Sequence, residues 1–155
     1  IGFRSEFLTI TSGTGIMTSS FSHYGTAKAG QVAKRQNGVL ISMVNGTCLA
    51  FALFTLQDRG RLFAEPQLEV YEGMIVGMNS RSDDMTVNPT KAKQLTNMRA
   101  SGTDEALTLT PAIKFTLEQA LEFIEDDELV EVTPKSVRIR KKWLTENDRK
   151  RNRAK

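Results

Sequence analysis

Short apolar runs recur through the middle of the chain with the composition of β-strands. Residues 39–44 and 47–54 are two such runs, joined by Asn45 and Gly46. Because an Asn-Gly pair suits the positive φ angles of a tight type I′ turn, the pattern predicts a hairpin here. The second run is continuously apolar, so we expect it to lie centrally in a sheet. Further strands are predicted at 68–71, 74–78, 105–109, 129–133 and 136–140.

One later segment has helical spacing instead of strand spacing. Thr116 and Gln119 are placed as a capping-box pair, in which each side chain bonds the backbone of the other residue. Apolar residues then follow at helical spacing with glutamates opposite them, which predicts an amphipathic helix beginning at Thr116. Residues 56–60 are predicted as a turn or a helical turn. The apolar positions of the helix are Leu117, Ala120, Leu121 and Ile124.

The first residues predict a helix and a strand that have no core of their own. Residues 1–11 are predicted to be the end of a helix that stops at Gly13 and Gly15, and residues 16–24 are typical of a strand. A single helix and strand cannot close a core, so we expect these elements to pack on a neighbour. The chain begins at Ile1 inside the predicted helix, and we expect it to be a piece of a longer protein.

Regular patterning stops over residues 79–104. An irregular segment of this length inside a compact domain is usually functional or disordered. The whole pattern predicts an α+β fold in three parts. A helix and a strand at 1–27 precede a domain at 28–143, which is mainly antiparallel β-sheet or a partly open barrel with one amphipathic helix. A flexible basic tail is predicted at 144–155, as a frayed helix or a disordered segment.

Charge is distributed unevenly along the 155 residues. Residues 138–155 carry nine lysines and arginines against two acids, a net charge of +7, whereas residues 1–137 have a net charge of −4. A basic end on a mildly acidic body indicates a polyanionic partner. No apolar run approaches the ~18 residues that a membrane span needs, so no membrane partner is expected. Cys48 is the only cysteine, which excludes an internal disulfide and fits a reducing cytoplasm.

The residue types do not indicate catalysis or metal binding. His23 is the only histidine, and Cys48 lies in an apolar run where a free cysteine is usually inert. A metal site or a nucleophile–base pair needs more groups than these two. The acids within 118–131 are better explained as the solvent-exposed face and the end of a helix than as a cation site. Trp143 is expected to anchor the C-terminal segment to the core, with stacking on a base as the alternative.

Segments along nearly the whole chain resemble the TypA/BipA family of ribosome-binding translational GTPases. Residues 2–13 and a strand ending in His23 and Tyr24 resemble the last helix and strand of the ferredoxin-like domain V of translocational elongation factors. The rest resembles the family-specific C-terminal domain, and the specificity comes from the joint order of the segments. They are RQNGVLIS (35–42), LQDRGRLF (56–63), VYEGMIVG (70–77), NSRSDDMTVN (79–88), KQLTNMRASGTDEA (93–106), TLEQALEFIEDDELVEVTP (116–134) and IRKKWLTENDRKR (139–151).

The resemblance implies a parent protein with an N-terminal GTPase domain that binds GTP and Mg²⁺. This chain has no phosphate loop, because Gly13-Thr14-Gly15 is not followed by Gly-Lys-Ser/Thr, so we expect no enzyme activity and no cofactor in it. The resemblance also implies binding at the ribosomal A site and a role in large-subunit (50S) assembly and stress adaptation. The implied partners of a cytoplasmic, monomeric protein are the ribosome, the large-subunit rRNA and the tRNA acceptor arm.

The first candidate RNA-binding surface is the irregular loop. Between Pro89 and Gly102 it carries three cations and no acid. Lysine and arginine bind phosphate oxygens, and short amide and hydroxyl side chains reach 2′-hydroxyls and base edges. Asp83 and Asp84 are expected to face away from RNA or to order the start of the loop. The predicted contacts are Asn79, Ser80, Arg81, Lys91, Lys93, Gln94, Thr96, Asn97, Arg99 and Ser101.

The second candidate surface is the basic strand and tail. Alternation places every second residue of the strand on one solvent face, and the tail extends the positive charge. The alternatives are a solvated loop, a solubilising tail, or pairing of these cations with the acids of 125–128. At the level of function, the alternative is a protein-docking module that uses helix 116–127 or residues 1–24 and does not contact RNA. The predicted RNA contacts here are Arg138, Arg140, Lys142, Arg149, Lys150 and Arg151.

Overall fold

The computed structural model describes residues 3–26, 35–93 and 108–153, and the chain divides into two compact units, Ile1–Arg35 and Gln36–Lys155. The first unit contains helix α1 (Phe3–Ile10), followed by an irregular segment. The strand predicted at 16–24 is therefore wrong, because no strand in the described part of this unit is available to pair with it. Phe21 is 73% exposed, as expected for an apolar side chain that its own unit does not cover.

The second unit is built on a four-stranded sheet. Its strands are β1 (Val39–Ser42), β3 (Gly60–Leu62), β5 (Ile75–Asn79) and β6 (Met85–Val87), in the order β3-β5-β1-β6. β5 lies antiparallel to both β1 and β3, whereas β6 lies parallel to β1 at the edge. All four side chains of β1 are buried, because this central strand is covered on both faces of the sheet.

The hairpin predicted around Asn45 and Gly46 is wrong. β2 (Gly46–Thr47) pairs instead with β4 (Glu69–Val70), and the apolar run after it forms helix α2 (Ala50–Leu56). A short, continuously apolar segment is compatible with a buried helix as well as with a buried strand, so its periodicity could not decide between them. The side chains that α2 buries are Ala52, Leu53 and Leu56.

The amphipathic helix is confirmed as α3 (Leu117–Phe123), and its capping box is present. The Thr116 hydroxyl accepts from the Gln119 amide at 3.3 Å, and the Gln119 side-chain oxygen accepts from the Thr116 amide at 3.0 Å. The buried face differs from the predicted one. Ala120 is fully buried, but Leu117 and Leu121 are 43% and 52% exposed, because the helix packs through residues of its C-terminal turn.

A two-stranded antiparallel sheet completes the second unit. It consists of β7 (Glu128–Val132) and β8 (Val137–Lys141), which confirms the two strands predicted around the turn at 134. The tail predicted as a frayed helix or a disordered segment forms helix α4 (Glu146–Arg153). Its first turn is stabilised by Thr145, whose hydroxyl accepts from the amide of Asp148 at 3.2 Å.

Two apolar clusters cover the two faces of the central sheet. Leu40 points toward α2, whereas Val39 and Ile41 point toward α3 and the β7–β8 sheet, as the alternation of a strand requires. Among the described residues the sheets remain open and form no closed barrel, so the fold is α+β. The second cluster includes the aromatic rings of Phe63, Phe115 and Phe123.

The loop predicted at 79–104 is wrong in its first part. Residues 85–87 form β6, and Val87 and Pro89 are buried. The alternation in this strand is too short to be distinguished from a loop in the sequence. Residues 94–104 lie outside the described part of the chain, as do the first three residues of the strand predicted at 105–109.

Candidate nucleic-acid interface

The base of the candidate RNA loop is fixed to the start of β1 by backbone hydrogen bonds. The amide of Asn79 donates to the Gly38 carbonyl, and the amide of Gly38 donates to the Arg81 carbonyl, both at 2.8 Å. Asn79 is 2% exposed, and its side-chain amide donates to the Asp83 carbonyl at 2.6 Å. The prediction that Asn79 contacts RNA is therefore wrong, because this side chain closes the turn from inside.

The neighbouring polar residues of this turn are on the surface. Ser80 and Arg81 are exposed, and their backbone amides are held by the Arg59 carbonyl and the Asn79 side chain at 2.8 Å and 3.3 Å. Their side chains are thus presented from a fixed backbone. RNA contact by these two residues stays a prediction.

The first two lysines of the loop emerge from a well-anchored turn. The Pro89 carbonyl accepts from the amide of Leu49 at 3.0 Å, and the Asn88 side chain accepts from the amide of Thr90 at 2.9 Å. Lys91 and Lys93 follow directly and are exposed. The other predicted contacts of the loop lie outside the described residues and stay predictions. They are Gln94, Thr96, Asn97, Arg99 and Ser101.

The outer face of β8 is cationic but not purely so. Arg138 and Arg140 are half-buried, and Glu131 lies directly opposite Arg138 in β7. The Tyr71 hydroxyl donates to the Glu131 carboxylate. Burial and this hydrogen bond raise the pKa of Tyr71, against the opposing charges of Arg140 and Arg138. Glu131 therefore offsets part of the positive charge that the sequence assigned to this face.

The residues that follow the end of β8 are more exposed to solvent. Lys142 is exposed, and its ammonium lies 5.4 Å from the centre of the half-buried Trp143 ring. On α4, Arg149 donates to the carbonyls of Trp143 and Leu144, so its guanidinium holds the helix to the end of β8. Lys150 forms an exposed ion pair with Glu146 at 2.6 Å, and Arg151 is exposed.

The main feature that the predicted contacts do not include is a buried charged cluster at Lys141. For this one cation of the basic strand, it confirms the alternative of pairing with the acids of 125–128. Lys141 is 2% exposed, and its ammonium meets the carboxylates of Asp84, Asp127 and Glu128 at 2.7, 2.9 and 3.0 Å. Burial alone would lower the pKa of Lys141. The hydrogen bonds that the ammonium donates to Asp84, Asp127 and Glu128, together with the charge of Glu128, outweigh burial and hold this pKa above its ordinary value.

A signal for this cluster was present in the strand pattern. In β8, Lys141 is two residues from the buried Ile139, so alternation places it on the inward face. A lysine on an inward face needs carboxylate partners. Asp84 is one of them, and its second carboxylate oxygen accepts from the amide of Val39 at 3.0 Å. This confirms the expectation that Asp84 orders the start of the loop.

Cys48 is a buried thiol, 1% exposed, and burial raises its pKa to about 11 from an ordinary value of 9.0. Because the thiolate is the reactive form, we expect iodoacetamide to label Cys48 at pH 8 at least about 100-fold more slowly in the folded protein than in urea. Mass spectrometry of timed samples would measure the two rates. Equal rates in the two states would contradict the buried placement of the thiol.

No group of three histidine, cysteine or acidic side chains suited to a metal ion occurs within the described residues. His23, in the first unit, is exposed, and its ring nitrogen Nδ1 is 2.9 Å from the hydroxyl of Ser22. Within the same described ranges, none of the helices has the length and apolar character that crossing a bilayer requires.

Comparison with known proteins agrees with the resemblance found in the sequence. Residues 37–146 match the model of the TypA/BipA C-terminal domain. The chain is 67% identical over 155 residues to the large ribosomal subunit assembly factor BipA of Escherichia coli K12, covering 99% of the chain and 26% of that protein. The BipA proteins of Haemophilus influenzae and Buchnera aphidicola are 63% and 60% identical over 151 residues, 97% of the chain.

The chain spans about a quarter of the length of these relatives, 24–26%. The similarity runs through both units and is not confined to one motif. The chain belongs to the TypA/BipA family, and its second unit contains the C-terminal domain that is specific to that family.

Proposed function

We propose that this chain is the ribosome-binding C-terminal part of a translational GTPase that acts in large-subunit assembly. The observation that carries the proposal is the 67% identity, over 99% of the chain, to a protein named for large ribosomal subunit assembly. In this proposal the chain contacts large-subunit rRNA and the tRNA acceptor arm at the A site, in the cytoplasm, as a monomer and during stress adaptation. The GTPase domain, with GTP and Mg²⁺, belongs to the part of the whole protein outside this chain.

Exposed cations in two places supply the physical basis for RNA binding. Lys91 and Lys93 are exposed at the start of a stretch, 89–102, that contains no acid. Lys142, Lys150 and Arg151 are exposed at the C-terminal end. Such side chains neutralise phosphates and release counterions, which makes binding strongly dependent on salt.

We expect the combined variant Lys91→Ala, Lys93→Ala, Arg99→Ala to bind large ribosomal subunits less steeply with salt than the unmodified protein. Three lost phosphate contacts would reduce the slope of log K against log salt by about 2, because each contact contributes roughly 0.7–0.9. Co-sedimentation of the intact protein with purified large subunits across a salt series measures this slope.

The control for this experiment replaces exposed lysines elsewhere in the second unit. Lys114, whose side chain is 76% exposed and pairs with Glu65, and Lys135, exposed in the β7–β8 turn, are changed to alanine together. This control removes two positive charges without touching the loop, and its slope should change less. An unchanged slope in the loop variant would remove the loop from the proposal.

A protein-docking role is the second candidate, favoured by the exposed leucines of α3. Leu117 and Leu121 lie four residues apart on the same side of the helix and remain solvent-accessible. Docking through apolar side chains would tolerate moderate salt, whereas RNA binding would weaken with it. The salt series therefore separates the two candidates.

A further inference from the structure

The Lys141 cluster joins three segments that are distant in sequence. Asp84 directly precedes β6, Asp127 directly precedes β7 and Glu128 begins it, and Lys141 ends β8. An ammonium group has three N–H donors, and here each meets a different carboxylate. A buried lysine that uses all its donors has a single satisfied arrangement, so the cluster fixes the relative position of the segments it joins.

Of the joined segments, the strand β6 depends most on this cluster for its position. It has only three residues and, among the described residues, lies at the edge of the central sheet with β1 as its one partner strand. Asp84 connects its entrance in two directions, because one carboxylate oxygen accepts from the Val39 amide at 3.0 Å and the other meets Lys141 at 2.7 Å. The first contact ties β6 to β1, and the second ties it to the β7–β8 sheet.

The two proposed RNA surfaces lie on either side of this connection. Lys91 and Lys93 follow β6 within six residues of its end, and Arg140 and Lys142 are the chain neighbours of Lys141. Lys141 itself is too buried to reach a phosphate. Its effect on RNA is therefore indirect and acts through the placement of these neighbours.

We infer that Asp84 and Lys141 are positioning residues, which hold the loop lysines and the cationic face of β8 in one register so that both meet the same RNA. This inference rests on the proposed function and adds to it a coupling between the two surfaces. Binding by both surfaces at once is stronger than binding by either, because the second contact forms within the complex.

The decisive comparison is between Asp84→Asn and Asp127→Asn in the intact protein. Each removes one carboxylate from the same ammonium, at 2.7 Å and 2.9 Å, and each adds one unit of positive charge. Of these two residues, Asp84 ties the loop base to the β7–β8 sheet, whereas Asp127 and Lys141 both belong to that sheet and its turns. Asparagine at 84 still offers an oxygen to the Val39 amide, so the contact with β1 is retained.

Purified large ribosomal subunits are the probe, and affinity is measured by co-sedimentation at several salt concentrations. We expect Asp84→Asn to weaken binding by about 3- to 10-fold and to lower the salt slope, because fewer phosphates are neutralised at once. Asp127→Asn should leave affinity unchanged or raise it, since it only removes a negative charge. If the change in charge were the only effect, Asp84→Asn and Asp127→Asn would raise the affinity for large subunits equally. That result would overturn the inference.

Hydrogen exchange supplies a readout that does not depend on ribosomes. Exchange of the backbone amides at 85–93 should be faster in Asp84→Asn than in Asp127→Asn, and equal exchange would overturn the inference. If the unmodified protein did not bind large subunits, the proposed function would fail, while exchange would still decide the positioning role. Should Asp84→Asn not fold, Asp84→Glu against Asp127→Glu provides the same comparison with the charges retained.

Discussion

Replacing Lys141 with methionine is expected to lower the free energy of unfolding of the second unit by about 3 kcal/mol, the lower end of the range for breaking a buried ion pair. The variant leaves Asp84, Asp127 and Glu128 facing one another without a cation. Glu128 is fully buried, whereas Asp84 and Asp127 are partly exposed and screened by water, which is why the lower end applies. Urea unfolding followed by the fluorescence of Trp143, the only tryptophan, measures the change.

Two further variants show whether charge is the cause. Lys135→Met makes the same substitution at an exposed turn position and should change stability by less than about 0.5 kcal/mol. Lys141→Met combined with Glu128→Leu replaces both members of the fully buried pair with apolar side chains, and should recover much of the loss. If the double variant were no more stable than Lys141→Met, packing instead of charge would explain the effect.

The pH dependence of the Lys141 contribution to stability has a definite sign. In the unmodified protein the pKa of Lys141 lies above its ordinary value of 10.5, so its stabilising contribution is complete at neutral pH. That contribution is lost only as the pH rises through the pKa that Lys141 has in the folded protein.

The sequence predicted those elements that carry their own local signals. The β7–β8 sheet follows from two alternating strands around a turn, and α3 from a capping box that needs only Thr116 and Gln119. These signals act within a few residues, so tertiary contacts do not have to be known. The apolar run at 47–54 carried no such signal, and the structure uses most of it as the helix α2.

The candidate site was less predictable because its contacts are nonlocal. Asn79 looked like a polar loop residue, but its environment is set by Gly38 and Asp83. Alternation places Lys141 on the inward face of β8, but only the fold brings its partners Asp84, Asp127 and Glu128 to it. Composition indicates that cations are present, but only the fold decides which of them face solvent.

The structure also shows which cations of the basic C-terminal end remain available to a partner. Lys141 is neutralised inside the domain, Arg149 holds α4 through backbone carbonyls, and Glu131 offsets part of the charge of Arg138. The charge that remains exposed is concentrated at Lys142 and on α4. The acid-free loop therefore carries a larger share of the proposed RNA binding than the net charge of the two segments suggests.

Gly38→Ala is expected to lower the free energy of unfolding by about 2–3 kcal/mol, because the added methyl group has no room. It would lie 2.7 Å from the nitrogen of Asp84 and closer still to the backbone carbonyl of Asp83. Neither strand nor turn can withdraw easily, since the Gly38 backbone is hydrogen-bonded to Asn79 and Arg81 on both sides. The same urea unfolding experiment measures this loss.

The consequence of Gly38→Ala for binding follows from the place where the clash occurs. The displaced turn contains Asp84, so the variant should also weaken binding to large subunits in the way that Asp84→Asn does. Ser82→Ala, an exposed position in the same turn, is the matched control and should change stability by less than about 0.5 kcal/mol. A Gly38→Ala protein as stable as this control would show that the turn can move away from β1. That result would contradict the inference that the loop base is rigid, on which the inferred placement of Lys91 and Lys93 depends.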